Sequence, residues 1–167
     1  WFISLLSAGY LYRLALQFRL SEPLSALTTL TVILGSNATF NMLNPGAWFF
    51  AQNLCFLLAV MTIYYAGNGK GGWALFFWAC SVGCRPMQIF FLPVVLLILY
   101  IVEKKKSPEL SGKKIVSNKI YWGIPASCVA LTYMVLNYLR FGSIIEFGHN
   151  YLPEFIRAEH GQFSVKY

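Results

Sequence analysis

Uncharged apolar blocks, separated by short polar connections, run along most of the chain. Three blocks, Leu24 to Leu43, Ala47 to Gly67 and Ile120 to Leu139, have 20 or 21 residues each. A helix of that length, rising about 1.5 Å per residue, crosses a hydrocarbon core of about 30 Å. The blocks are apolar all round, whereas membrane strands alternate over shorter segments. The pattern therefore predicts an all-α fold, a polytopic transmembrane helical bundle.

A further apolar run, from Trp73 to Val102, is interrupted by Arg85 and Pro86. Proline removes a backbone donor and disfavours helical geometry in the residue before it, so we expect a helix break at Arg85. The pieces on either side, Trp73 to Cys84 and Met87 to Val102, are each short for a full crossing. We predict a broken helical hairpin around Arg85-Pro86; one long kinked helix is the alternative.

The composition is that of a membrane protein, and this affects how the net positive charge of the chain is interpreted. Hydrophobic residues make up 57% of the 167 residues and charged residues only 11%, far from soluble averages. A net charge of +7 would suggest nucleic acid as a partner of a soluble protein, but in a membrane protein Lys and Arg first indicate orientation. We therefore expect the lipid bilayer, and not nucleic acid, as a partner.

The placement of the positive charges favours the hairpin. If the run from Trp73 to Val102 enters and returns, nine Lys and Arg lie on one side of the membrane and three on the other, whereas a single crossing divides them equally. Only the hairpin obeys the positive-inside rule. The nine are Arg13, Arg19, Lys70, Lys104, Lys105, Lys106, Lys113, Lys114 and Lys119. This hypothesis makes 103–119 a flexible, cytoplasmic basic loop and 140–167 an extracytoplasmic segment.

The two ends of the chain also carry an expectation. The chain opens at Trp1 within an apolar run that lacks the pattern of a signal peptide, and it stops at Tyr167 directly after a polar stretch. We expect residues 1–167 to be a single transmembrane helical region, truncated at both ends. Its partners would then include missing transmembrane helices of the same chain.

Arg85 is the first candidate for a functional side chain. An arginine inside a membrane costs at least ~2.5 kcal/mol, so it normally has a partner or a watery cavity. A guanidinium group matches a phosphate with paired hydrogen bonds. In the structural alternative, Arg85 binds carbonyls freed by the break at Pro86 or reaches the membrane surface. The sequence leaves both interpretations open.

Titratable side chains gather near the end of the chain, and they suit proton transfer or the binding of sugar hydroxyls. They are Arg140, Glu146, His149, Tyr151, Glu154, Arg157, Glu159 and His160. An ordinary solvated loop beside the membrane is the alternative. We expect no metal site, because the spacing of His149, Glu154 and His160 matches no ligand pattern.

Two stretches together resemble a known family. The segment "WALFFWACSVGCRPMQIFFLPVVLLILYIVEKKK" is similar to the part of bacterial GT-C-type integral membrane glycosyltransferases where a short helix ends in Gly, a small residue, Arg or Lys, and Pro. Further on, "LNYLRFGSIIEFGHNYL", followed by "GQFSVKY", is similar to a region after a later span in many such proteins. The resemblance covers roughly Leu24 to Tyr167.

The resemblance implies a function and a location. Members of this superfamily, mannosyltransferases among them, move a sugar from a polyprenyl-phosphate carrier to an extracytoplasmic acceptor. Their acidic catalytic residues lie in a first outer loop that would precede Trp1, so no catalytic residue is assigned. We expect Arg85, Arg140, Glu146 and His149 to bind a polyprenyl-phosphate-linked sugar. No cofactor is implied, with a divalent cation left open.

The same resemblance implies a multi-pass protein of the bacterial inner membrane. The competing hypothesis is a non-enzymatic polytopic membrane protein, either a transporter or a scaffold for envelope assembly. Transporters also place broken helices and intramembrane charges at their binding sites.

Overall fold

A computed structural model of the protein describes residues 1–44, 46–146 and 148, and these residues form helices and turns, with no strand among them. The helices are α1 (Phe2–Gln17), α2 (Glu22–Gly35), α3 (Asn37–Leu43), α4 (Ala47–Gly67), α5 (Gly71–Cys84), α6 (Leu92–Lys106), α7 (Gly112–Lys119) and α8 (Gly123–Phe141). Turns of 3₁₀ helix, Pro86–Phe91 and Ile120–Trp122, lead into α6 and α8. The prediction of an all-α fold is confirmed for this part of the chain.

In the part of the chain that the structure describes, three helical stretches are long and apolar enough to cross a membrane: Ala47–Gly67, Pro86–Lys106 and Gly112–Phe141. The first coincides with a predicted block. The second has 21 residues, because the 3₁₀ turn and α6 form one continuous helical stretch. The prediction that the piece after Arg85 is short for a full crossing was therefore wrong.

The predicted single span from Leu24 to Leu43 was also wrong. α2 ends at Gly35, and Ser36 adopts an extended backbone with φ −113° and ψ 176°. The hydroxyl of Ser36 accepts a hydrogen bond from the amide of Ala38 at 3.2 Å and so caps α3. Serine is a favoured residue at such caps, where it competes with continuation of the preceding helix. A serine cap carries no charge, so a search for uncharged blocks does not detect the helix break that it causes.

The helix break predicted at Arg85 is confirmed. α5 ends at Cys84, and Arg85 adopts an extended backbone with φ −147° and ψ 107°. This is the geometry that a following proline favours. Pro86 then opens the 3₁₀ turn, where its missing N–H has no helical partner to lose.

After this break the chain folds back on itself. Ala74 and Leu75, near the start of α5, share a buried cluster with Val95 and Leu99 of α6 and with Ala66 of α4. Alanine at these contacts allows the helices to approach closely, as small residues do in membrane proteins. α4, α5 and α6 therefore form the core of the first of two compact units, residues 1–127; the second unit begins at Cys128.

Several connections meet at one end of the first unit, which we call the basic end: the end of α1, the α4–α5 turn, and the segment 103–122. Gln17, the last residue of α1, lies against Gly67. Gly69 turns the chain with φ +69° and lies beside the ammonium group of Lys106. Gly71 packs so closely on Trp122 that an added Cβ would overlap the indole ring.

The basic segment 103–119 is more helical than a flexible loop. α6 continues to Lys106, and α7 begins at Gly112. Between them, the Nζ atom of Lys104 donates hydrogen bonds to the carbonyls of Pro108 at 2.6 Å and Leu110 at 2.7 Å. These bonds close the connection between the two helices, so the lysines here also have a structural role.

Candidate functional site

Arg85 contacts Trp48 in two ways. The Cζ atom of the guanidinium lies 3.8 Å from the centroid of the Trp48 ring, a cation–π geometry. The Nη2 atom also donates a hydrogen bond to the Trp48 carbonyl at 3.3 Å. A cation–π contact at an exposed site contributes roughly 0.5–1 kcal/mol. Because Trp48 lies in the first turn of α4, these contacts tie the break after α5 to the start of α4.

The amide of Gln52, one helical turn after Trp48, completes this arrangement. In one orientation of this amide its oxygen accepts a hydrogen bond from Asn41 Nδ2 at 2.7 Å; in the other, which suits its neighbours better, the oxygen faces Arg85 and Trp48. That oxygen then accepts hydrogen bonds from Arg85 Nη2 at 3.1 Å and Trp48 Nε1 at 3.2 Å, while the nitrogen donates to Asn41 Oδ1 at 3.2 Å. We call Arg85, Trp48, Gln52 and Asn41 the arginine cluster.

The arginine cluster retains its positive charge. Its acceptors are a carbonyl and an amide, and within residues 1–127 as described no carboxylate forms an ion pair with Arg85. A guanidinium has five N–H groups, and Nη2 accounts for two of them. The remaining three, on Nε and Nη1, have no hydrogen-bond partner among the described residues of this unit. Such a group can bind a phosphate.

Exposed apolar side chains contact this charge, in the case of Trp48, or follow it closely in the sequence. Trp48 is 60% exposed. In the 3₁₀ turn after Arg85, Phe90 is 76% exposed, and Met87 and Ile89 are exposed to a smaller extent. Trp78 Nε1 donates to the carbonyl of Gln88 at 2.9 Å and holds this turn against α5. The arrangement is chemically suited to an anionic group that is attached to an apolar chain.

The other predicted site residues lie in the second unit or outside the described residues. Arg140 is exposed in the last turn of α8. Glu146 follows the helix and accepts a hydrogen bond from the amide of Gly148 at 2.7 Å. His149 lies outside the described residues. So do Tyr151, Glu154, Arg157, Glu159 and His160.

A second charged group, which sequence reasoning missed, lies at the basic end. Glu103 is only 8% exposed, and it pairs with Lys106 at 2.9 Å and Lys119 at 3.1 Å. The Nζ atom of Lys119 also lies 4.9 Å from the centroid of the Trp122 ring. We call these four residues the Glu103 cluster. It joins α6 to the end of α7, and it differs from the arginine cluster because its charges are paired.

Metal binding has no candidate in the part of the chain that the structure covers. No group of three or more His, Cys, Asp or Glu side chains there could hold an ion. The spacing of His149, Glu154 and His160 falls on residues that the structure does not describe.

Sequence reasoning identified Arg85 but missed its partners. Trp48 and Gln52 have the i,i+4 spacing of neighbours on a helix face, which is visible in the sequence. Nothing local connects them to a residue 37 positions from Trp48. Comparisons of the chain with protein-family models, with curated proteins and with solved structures found no match. The chemical interpretation of the site therefore depends on its geometry: an arginine held against an exposed tryptophan, with unused donors.

Proposed function

We propose that this chain is part of an integral membrane glycosyltransferase of the GT-C type, which moves a sugar from a polyprenyl-phosphate carrier to an extracytoplasmic acceptor. In this proposal Arg85 binds the phosphate of the carrier. The observation that carries it is the arginine cluster, whose neutral partners hold the guanidinium in place and leave its charge and three N–H groups for a ligand.

The proposal includes a membrane topology. The basic end collects the connections that contain the nine Lys and Arg residues, and we assign it to the cytoplasm by the positive-inside rule. α5 then leads away from that surface over 14 residues, which is about 21 Å at about 1.5 Å per residue. Arg85 would lie about two-thirds of the way across a core of about 30 Å, in the outer leaflet.

That depth suits a lipid-linked sugar phosphate. The isoprenoid chain needs apolar walls, and the exposed side chains of Phe90 and Trp48 could contribute to them. When the sugar is transferred, negative charge grows on the leaving phosphate, and positioned N–H donors stabilise it. Arg85 has this role in the proposal, and Arg140, Glu146 and His149 are proposed to bind the substrate from the outer segment. The base that activates the acceptor is not assigned.

The test is sugar transfer by the purified full-length protein with polyprenyl-phosphate sugars. We expect Arg85→Ala to lower kcat/KM by roughly 100-fold, the effect of losing one positioned donor at a developing anion. Arg85→Lys should recover part of the activity, because the charge remains while the forked hydrogen bonds are lost. Arg13→Ala, which removes an exposed arginine elsewhere, should stay within about twofold.

Each variant must also be checked for folding by its melting temperature in detergent. A well-folded Arg85→Ala variant with full transfer activity would contradict the assigned role of Arg85. A full-length protein that transfers no sugar from any such carrier would contradict the transferase itself.

A transporter is the second candidate, because the break at Arg85 places a retained charge between two apolar helices, as broken helices do at transport sites. Uptake of an anionic solute into vesicles, without sugar transfer, would favour it. Both candidates share the proposed topology.

That topology can be tested by labelling introduced cysteines with a membrane-impermeant maleimide in whole cells. Asn68→Cys and Glu109→Cys, both at exposed positions of the basic end, should stay unlabelled until the membrane is opened. Asn44→Cys, which lies just before the 21-residue helix α4, should be labelled at once. The unmodified protein, with its own four cysteines, is the control for background. Labelling of Asn68→Cys and Glu109→Cys from opposite sides would exclude the hairpin.

A further inference from the structure

A groove with apolar walls lies at the basic end. It has a volume of ≈ 320 Å³ and is formed by α5, α6, α7 and the start of α8. Its apolar walls include Leu96, Leu99, Ile115, Val116, Ile120 and Trp122, and Glu103 and Lys119 lie at its edge. All of its lining belongs to the first unit. The groove is therefore a space for an apolar group with a charged group beside it.

The walls of the groove are open to the surroundings. Val116 is 64% exposed, Ile120 78% and Leu96 48%. Apolar surface of this kind is most stable when an apolar partner removes it from water. Because Leu96 and Leu99 belong to a helical stretch that is long and apolar enough to cross a membrane, hydrocarbon chains are the nearest apolar partner.

The charges around the groove select the kind of lipid. The segment 103–119 contains six lysines and two glutamates. Glu103, the acidic residue at the groove edge, is already paired with Lys106 and Lys119. The side chain of Lys119 is 34% exposed and has three N–H donors, only one of which is needed for Glu103. The edge of the groove therefore has an excess of positive charge and donors for a phosphate.

The order of these features along the chain matches the order of groups in a phospholipid. Leu96 and Leu99 lie in the middle of the stretch Pro86–Lys106, and the lysines begin in its last turn, at Lys104. We propose that the groove binds an acyl chain of an anionic phospholipid, and that Lys119 binds its headgroup phosphate. This inference requires a membrane protein and does not depend on sugar transfer.

The proposal can be tested with the purified full-length protein. After removal of its own lipids, the protein is mixed with equal amounts of phosphatidylglycerol and phosphatidylcholine, and bound lipids are counted by native mass spectrometry. We expect phosphatidylglycerol to be retained about fivefold over phosphatidylcholine, the order of magnitude for one lysine beside an anionic lipid. Lys119→Gln should bring the ratio close to one.

A second variant tests the groove without changing any charge. Val116→Trp fills the space from an exposed position, so it should lower the retention of both lipids about fivefold or more while the melting temperature stays the same. Two matched controls lie outside the groove: Lys105→Gln removes an exposed lysine of the same segment, and Val94→Trp enlarges an exposed residue of α6. Both should retain phosphatidylglycerol within about twofold of the unmodified protein.

Four outcomes would overturn the inference. Equal retention of the two lipids by the unmodified protein would show that charge does not select the lipid. An unchanged ratio of the two lipids in Lys119→Gln would show that Lys119 does not bind the phosphate. Unchanged retention by a folded Val116→Trp variant would place the lipid elsewhere. A groove that takes up neither lipid, because another part of the protein covers it, would also contradict the proposal.

Discussion

The two ends of α5 stabilise positive charge in different ways. After its last residue, Arg85 has neutral partners among the described residues of the first unit: the ring and carbonyl of Trp48 and the amide of Gln52. Near its first residue, the lysines of the Glu103 cluster pair with a carboxylate. Neutral partners hold a cation without cancelling its charge, whereas a carboxylate cancels it. The charge therefore remains available at the arginine cluster and is partly neutralised at the basic end.

The surroundings of the two clusters reinforce this difference. The side chains of Lys106 and Lys119 are 52% and 34% exposed, so water and salt screen their pairs with Glu103, and such pairs contribute little. Close packing, chiefly of Gly71 on Trp122, must supply much of the stability at the basic end. At the arginine cluster, the contacts of the guanidinium themselves supply it.

The largest effect is expected from Gly71→Ala. The new Cβ would overlap the rigid indole of Trp122, so the ring or the backbone must move, at a cost of about 2 kcal/mol. The adjacent Gly72→Ala is the matched control, because its Cβ would meet only Pro125 at 3.9 Å. Chemical unfolding of the full-length protein measures both. Equal stability of the two variants would show that packing does not dominate this end.

Trp48→Leu should cost a smaller amount, about 1 kcal/mol, because it leaves the Arg85 charge without its ring. Trp48→Phe keeps a ring face and should cost less than about 0.5 kcal/mol. The same unfolding measurement compares them. If the two variants were equally stable, the cation–π contact would not be what holds Arg85.

Glu103→Gln should cost about 1 kcal/mol, since two partly exposed ion pairs are lost. This effect should shrink when the salt concentration is raised to about 1 M, where charges are screened beyond about 3 Å. The effect of Trp48→Leu should not change with salt. If added salt changed the stability loss of both variants, or of neither, the two clusters would not differ as proposed.

The smallest effect is expected from Lys105→Gln. Lys105 is exposed, and within the described residues of the first unit it forms no ion pair. Its loss should change the free energy of unfolding by less than about 0.5 kcal/mol. A larger loss would mean that the lysines of 103–119 act together, and would weaken the distinction between paired and unpaired charge.

Local chemistry predicted several features correctly. The helix Ala47–Gly67 follows from an uninterrupted apolar block, and the break at Arg85 follows from the steric effect of Pro86 on the residue before it. Local patterns failed at Ser36, where a hydroxyl cap ended a helix inside an uncharged block. They also undercounted the helix after Arg85, chiefly because the charged residues 103–106, which continue α6, were counted with the basic loop.

In the candidate site, too, the sequence predicted some residues and missed others. The sequence marked Arg85, since a charge inside an apolar run is conspicuous, but it did not indicate Trp48, Gln52 or Asn41. It also left Glu103 within a solvated loop, whereas the folded chain buries it between two lysines. These residues are polar or aromatic types that are common near helix ends, so only their spatial neighbours distinguish them.

By itself, the sequence determined that the described part of this chain is helical, where the helix Ala47–Gly67 lies and where Arg85 and Pro86 interrupt an apolar run, because these properties depend on backbone geometry and on runs of neighbouring residues. Only the tertiary structure decided that Arg85 is held by neutral partners and Glu103 by lysines. Those contacts join residues far apart in the chain, and they form because small residues such as Ala66 and Ala74 let α4, α5 and α6 pack closely.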